Sequence, residues 1–230
     1  VGKFYPEFPW PEYADKITIS HLLSHRSGLG NYSFSHGRTS VEGIVDNAST
    51  EPVSFEPGST MGYSNTGYAV LGIIIERVSG VSYFDYIREN VFRKAGMDRS
   101  GFYSSNEVTD NMAVGYTTRV PGTSDRDGSR VPNSDIIELM GSPGGGAYST
   151  AKDMMAFSNA LMEDDLLDSE TRNRLWSPSA TSGRGASYGF GFGLSSRDGI
   201  TYIGHNGGGP GIGADFKIFP DLLFFFTKSY

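Results

Sequence analysis

YGFGFGLSSRDGITYIGHNGGGPGIGADFKIFPDLLFFFTK, residues 188–228, is the stretch on which the fold class turns. It contains four short runs rich in aromatic or β-branched residues, at 188–195, 199–205, 213–219 and 222–228, separated by glycine or Pro-Asp turns. Runs of this length and composition read as strands. The spacers between them cannot hold the helix that a parallel crossover requires, so the expectation is an antiparallel meander.

Upstream the apolar period becomes helical. Thr18 or Ser20 caps a short helix over 19–26, ended by Gly28, and a further helical stretch lies near 40–48. Pro57-Gly58 makes a turn, and TGYAVLGIIIERVS (66–79) reads as a buried helix stopped by Gly80. Ser82 caps a helix over 83–95, with Tyr83, Tyr86, Ile87 and Val91 at helical spacing. Residues 100–135 are polar, show few apolar periods and read as loops. Thr150 and Asp153 form a capping-box-like start for a helix through about 163, and a shorter helix follows at 168–176. The chain is therefore expected to be α+β, with a mainly helical region over 1–185 and the strands of an antiparallel sheet over 186–230.

Composition narrows the function. The 230 residues are 37% hydrophobic and 20% charged, with 15 Phe and 13 Tyr, which suits a packed core and argues against disorder. A net charge of -7 without a Lys/Arg cluster makes a poor nucleic-acid binder. No run of 18 apolar residues is present, so no transmembrane segment is expected. The absence of cysteine excludes disulfides, thiolate metal sites and a cysteine nucleophile. Val1 is not an initiator methionine, no signal peptide opens the chain, and the other end stops just after an apolar run at 222–226. Both ends read as cut, so truncation is expected at the N-terminus and at the C-terminus.

Three patterns carry chemistry, and they occur in a fixed order. The first is Ile17-Thr18-Ile19-Ser20-His21-Leu22-Leu23-Ser24-His25-Arg26-Ser27-Gly28-Leu29. The second is Phe55-Glu56-Pro57-Gly58 followed by Tyr63-Ser64-Asn65, and the third is Gly204-His205-Asn206-Gly207-Gly208. Between the last two lies Gly144-Gly145-Gly146-Ala147-Tyr148-Ser149-Thr150-Ala151-Lys152-Asp153. Together they resemble the penicillin-recognising serine hydrolases, the superfamily of serine beta-lactamases, DD-peptidases and related esterases, over residues 1 to about 220.

The resemblance implies a helical region inserted between two parts of an antiparallel sheet. It implies a nucleophilic serine in an S-x-x-K motif upstream of every pattern quoted. Tyr63-Ser64-Asn65 matches the family's Tyr-x-Asn motif, and His205-Asn206-Gly207 matches its third motif, Lys-Thr-Gly or His-x-Gly. Tyr63, Asn65 and His205 are thereby the implied catalytic residues, and Ser64, Asn206, Gly207 and Gly208 the implied substrate contacts. A serine hydroxyl needs a base, and a phenol serves if a nearby Lys⁺ favours the phenolate. The Asn65 amide orients the acyl side of the substrate, and a strand-edge N–H beyond His205 donates to the oxyanion.

Ser149-x-x-Lys152 is the one S-x-x-K in the chain, yet it follows Tyr63 by 86 residues, whereas the family's nucleophile precedes the tyrosine. Ser149 or Thr150 is expected to cap a helix instead. Gly185-Ala186-Ser187-Tyr188-Gly189 fits G-x-S-x-G with Asp198 and His205 following, but that motif needs a strand before the serine and a helix after it. His21 and His25 stand four apart without the H-E-x-x-H pattern of a zinc pair. No metal and no cofactor are expected.

The reading is an acyl-transfer serine hydrolase whose nucleophile lies outside this sequence, acting on small-molecule, peptide or ester substrates. His205 in place of lysine leans towards a D-amino-acid peptidase, carboxypeptidase or esterase and away from a dedicated beta-lactamase. The alternative is a non-catalytic relative that binds a ligand or partner in the same cleft. The resemblance carries a periplasmic or extracellular expectation.

Overall fold

The computed structural model describes residues 1–31, 40–102, 104, 108–119, 126–133, 141–181, 187–222 and 224–229. Its helices start where the sequence offers an oxygen to unpaired backbone amides. Thr18 caps α1 (Ile19–Leu23) in a reciprocal capping box with His21, and Ser40 caps α2 (Val41–Ala48). Ser64 caps α3 (Asn65–Ser79), which ends at Gly80 in the left-handed conformation. α4 (Tyr83–Ile87) is capped by Ser82 and continues as a π-helical turn, Arg88–Phe92, rather than as a plain α-helix to residue 95.

Two short antiparallel pairs follow. β1 (Gly101–Phe102) pairs with β4 (Ala147–Tyr148), and β2 (Tyr116–Arg119) with β3 (Arg126–Pro132). The β2–β3 hairpin corrects the expectation of loops over 100–135. Its described side chains are exposed or half-buried, so it never develops the apolar alternation by which a strand is recognised. α5 (Ala151–Met162) is capped by Thr150 and α6 (Ser169–Leu175) by Asp168.

The remaining chain forms one antiparallel sheet in the order β10-β9-β8-β7-β6-β5. Its strands are β5 (Ala180–Thr181), β6 (Ser187–Tyr188), β7 (Gly193–Arg197), β8 (Ile200–Gly209), β9 (Ile212–Phe219) and β10 (Phe224–Ser229). The chain is α+β, as expected, although the sheet already begins at Ala180. The single strand expected over 188–195 is broken. Gly191 takes φ 83°, Phe190 N–H donates to Leu175 O, and Gly191 N–H donates to Leu23 O. The glycines that interleave this run let the backbone bend onto the helices, and Phe192 joins Trp176 at the core edge.

Among the described residues three apolar clusters form, and two of them join the helices to one another and to the sheet. Val41, Ile44, Val45 and Ala48 of α2, spaced i, i+3, i+4, i+7, pack on Ala69, Val70, Ile73 and Ile74 of α3, with Tyr5, Phe8 and Trp10 from the opening segment closing the same cluster. Leu161 of α5 packs on Phe216 and Ile218 of β9. No described helix is long and apolar enough to cross a membrane.

Two helical glycines separate propensity from packing. A Cβ at Gly72 of α3 would sit 2.3 Å from Pro143 Cγ, whereas one at Gly43 of α2 meets only Ser40 Oγ at 3.4 Å. Gly72→Ala should therefore destabilise the protein by about 1–3 kcal/mol through overpacking. Gly43→Ala should stabilise it by about 0.5 kcal/mol through helix propensity. Urea unfolding of both variants checks the opposite signs.

Candidate active site

The segment 25–31 serves as a template for the Tyr-x-Asn turn. Residues 54–65 run beside it, with Ser54 N–H donating to Gly28 O, Gly58 N–H to Arg26 O and Gly62 N–H to His25 O, each at 2.8 Å. Gly28, at φ 80°, comes so close that an added Cβ would lie 2.4 Å from Phe55 O. Arg26 donates to Gly58 O and, at 3.3 Å, to Ser179 O, tying the Pro-Gly turn to the lead of β5. Asn31 spans the motif: its Nδ2 donates to Tyr63 O at 3.1 Å, and its Oδ1 accepts from Asn65 N–H at 2.7 Å.

Ser64, an expected substrate contact, has its side chain turned inward. Its side chain is fully buried, its hydroxyl donates to Gly30 O at 3.1 Å, and it accepts from Gly67 N–H at 3.0 Å as the cap of α3. Those bonds turn Ser64 inward and its neighbour Tyr63 outward, where the Tyr63 ring is 47% exposed. Asn65, the first residue of α3, is half-buried between Asn31 and the glycine loop. A Cβ on Gly144 would lie 3.0 Å from Asn65 Cβ.

Beneath Tyr63 lies His25, only 1% exposed and at φ 55°, a left-handed conformation that costs a non-glycine residue about 1 kcal/mol. Its Nδ1 accepts from Ser64 N–H at 3.1 Å, so the ring proton sits on Nε2, 3.2 Å from Tyr188 Oη. Beside it, Tyr68 Oη donates to Leu23 O at 2.9 Å. Every polar group in this row has a partner. The His25 ring also contacts those of Tyr63 (centroids 4.1 Å apart), Tyr188 (5.0 Å) and Tyr68 (5.1 Å). Burial, and then the neighbouring His205, lower the His25 pKa from 6.5 to about 4. Burial raises the pKa of Tyr63, Tyr68 and Tyr188 above the usual phenol value.

β8 brings His205 to the same place. Its ring centroid is 6.1 Å from that of Tyr63 and 6.0 Å from that of Tyr188, and burial lowers its pKa. Tyr63 and His205 thus converge although 142 positions separate them in the chain. Asn206 does not join them. Strand side chains alternate, and His205 lies opposite Phe216 whereas Asn206 lies opposite Asp215, so the Asn206 side chain leaves from the other face of the sheet. The ladder between β7 and β8 ends at Gly204, while that between β8 and β9 continues to Gly209. Residues 205–209 therefore have a strand neighbour on one side only among the described residues. An added Cβ at Gly207 or Gly209 would meet nothing within 4 Å, which leaves that backbone open to a ligand.

The other candidate serines are placed differently. Ser149 Oγ is 2.7 Å from Ser100 Oγ, which also donates to the buried Asp153, and Lys152 is exposed. Gly185 and Ala186 lie outside the described residues. Ser187 sits in β6 between Thr181 and Leu194 rather than at a strand-to-helix turn. His21 caps α1, while His25 lies past its end and faces the tyrosines, so the two do not form a pair on one helix face. Sequence reasoning missed His25, Asn31, Tyr188 and Gly144 as parts of the site. His25 fell inside the expected helix over 19–26, whereas α1 ends at Leu23 and leaves it in the position after the cap.

The profile of the Beta-lactamase family matches residues 1–221. The chain is 34% identical to a penicillin-binding protein of Bacillus subtilis (strain 168) over 227 residues, covering 92% of this chain and 49% of that protein. It is 31% identical to Esterase EstB of Burkholderia gladioli over 234 residues, covering 84% of this chain and 58% of that protein. Among solved structures, the penicillin binding protein from Bacillus halodurans superimposes with a TM-score of 0.81 at 30% identity, covering 89% of this chain and 65% of that one. The chain spans about half the length of the curated relatives it matches.

The burial of His25 makes stability depend on pH. Its folded pKa, about 4, lies below the unfolded value of 6.5, so the unfolded chain takes up the proton first. The associated stability is complete above pH 6.5 and is lost as pH falls towards 4. Between pH 7 and 4.5 the loss from this group should be about 2 kcal/mol. Denaturant unfolding at the two pH values should show that loss in the parent chain and a smaller one in His25→Asn.

Proposed function

Because this chain belongs to the beta-lactamase family, we propose that it carries the proton-transfer and oxyanion side of an acyl-transferring serine hydrolase. The observation that carries the reading is the ring contact of Tyr63 with His205 beside the open edge at 205–209. The substrate class proposed is an amide or ester of a peptide or small acyl donor, and His205 in the third motif favours D-peptidase, carboxypeptidase or esterase chemistry over that of a dedicated beta-lactamase. Similarity to a penicillin-binding protein and to an esterase fits that range.

In this reading the nucleophile is a serine of an S-x-x-K motif outside the 230 residues. Its oxygen attacks the substrate carbonyl as its proton passes to Tyr63. The developing oxyanion accepts from backbone N–H groups along 205–209, and Asn65 holds the acyl side. The proton then passes to the departing amine or alcohol as its bond to the carbonyl carbon breaks. Water repeats the sequence on the ester and releases the acid. Burial keeps Tyr63 a phenol at neutral pH, and depressed pKa values keep His25 and His205 neutral beside it. The base role thus calls for a cation against the phenol, which the lysine of the same S-x-x-K motif supplies.

The 230-residue chain should show no turnover and no covalent adduct after incubation with a fluorescent penicillin or a chromogenic ester, as read by intact-mass spectrometry. A longer natural protein carrying an upstream S-x-x-K should form the adduct. There Tyr63→Phe should slow acylation by about 10²–10⁴-fold. An adduct on Ser149 or Ser187 of the short chain contradicts the reading. A longer protein that binds the probe without reacting makes this a non-catalytic binding relative.

A further inference from the structure

We propose that His25, hydrogen-bonded at both ring nitrogens, is the positioning residue that sets Tyr63 against His205. This rests on the reading of Tyr63 as the proton acceptor. His25 reaches Tyr63 in two ways: its Nδ1 holds the amide of the next residue, Ser64, at 3.1 Å, and its ring lies under the Tyr63 ring at 4.1 Å. Its Nε2–H reaches across to Tyr188 Oη at 3.2 Å, and the Tyr188 ring is one of the two that flank His205. One imidazole therefore bonds the turn that carries Tyr63 and the strand that stands against His205.

The row also has a direction. Ser64 N–H donates to Nδ1 of His25, and the Nε2–H of His25 faces Tyr188 Oη. The Ser64 amide fixes its sense, since a backbone N–H only donates. The imidazole can join this row in a single tautomer and orientation, so its ring is a fixed floor for Tyr63. His25 touches no reacting atom; its effect passes through Tyr63.

A residue that only fills space ranks its replacements differently from one that positions. His25→Phe keeps an aromatic ring and loses both hydrogen bonds. His25→Asn loses the ring but keeps an oxygen near Nδ1 for the Ser64 amide. If His25 positions Tyr63, Asn preserves the Tyr63–His205 contact better than Phe; if it only packs, Phe does better.

The contact is read in the chain as it stands by ring-to-ring cross-relaxation in NMR, which the four histidines of the sequence make assignable. A slip of about 1 Å from the 6.1 Å spacing, the scale at which catalytic geometry fails, weakens that signal more than twofold. The expected order is parent, then Asn, then Phe, with His25 of the parent showing a pyridine-type Nδ1 and a protonated Nε2 in its ¹⁵N shifts. Tyr188→Phe, which removes one hydroxyl, should weaken the contact as well, and it decides the matter if either His25 variant fails to fold. An unchanged contact in Tyr188→Phe, or Phe outranking Asn, overturns the proposal. In the longer reacting protein, acylation per titrated site should fall in the same order, by about tenfold or more for His25→Phe. If that protein does not react at all, the hydrolase reading fails while the NMR order still judges His25.

Discussion

The hydrogen bond from the Ser64 amide to Nδ1 of His25 is the constraint around which this structure is arranged. Both groups are buried, and leaving either unpaired costs about 1–3 kcal/mol. That exceeds the cost of about 1 kcal/mol for holding His25 at positive φ, so the chain bends after α1 rather than losing the bond. The bend presents the His25 and Arg26 carbonyls to the incoming 54–65 segment, which docks along them. Ser64 then caps α3, Tyr63 turns outward, and α3 packs its apolar face on α2.

The sheet is fitted to this assembly by its tyrosine. Tyr188 meets His25 through its hydroxyl and His205 through its ring. The glycine-rich bend that follows allows the strand to approach Leu23 and Leu175 closely enough for backbone bonds. The result is a compact group of two histidines and three tyrosines, all held towards their neutral forms by burial. Such a group is aromatic and buried, suited to holding a phenol in place.

Much of this was legible in the sequence, for physical reasons. Caps are local, so Thr18, Ser82, Thr150 and Gly80 marked their helix ends correctly. The motif order pointed to Tyr63 and His205 because similar chains carry similar turns. What failed was non-local. The inward turn of Ser64 was hidden because its burial depends on Gly30, 34 positions away. The face of Asn206 was hidden because only the register with β9 reveals it. The β2–β3 hairpin is bound by backbone pairing with no apolar face to announce it. His25 resembled a helix-surface residue until the tertiary structure surrounded it with Tyr63, Tyr68 and Tyr188.

The most direct test of the central claim is the structure of the acyl-enzyme that a longer protein carrying an upstream S-x-x-K forms with an ester or penicillin probe. The account predicts an adduct on a serine upstream of the present residues. Its carbonyl oxygen should face the backbone of 205–209, and the Tyr63 hydroxyl should lie within hydrogen-bond reach of the serine oxygen. An acyl group seated on the other face of the sheet, or a nucleophile remote from Tyr63, would contradict it.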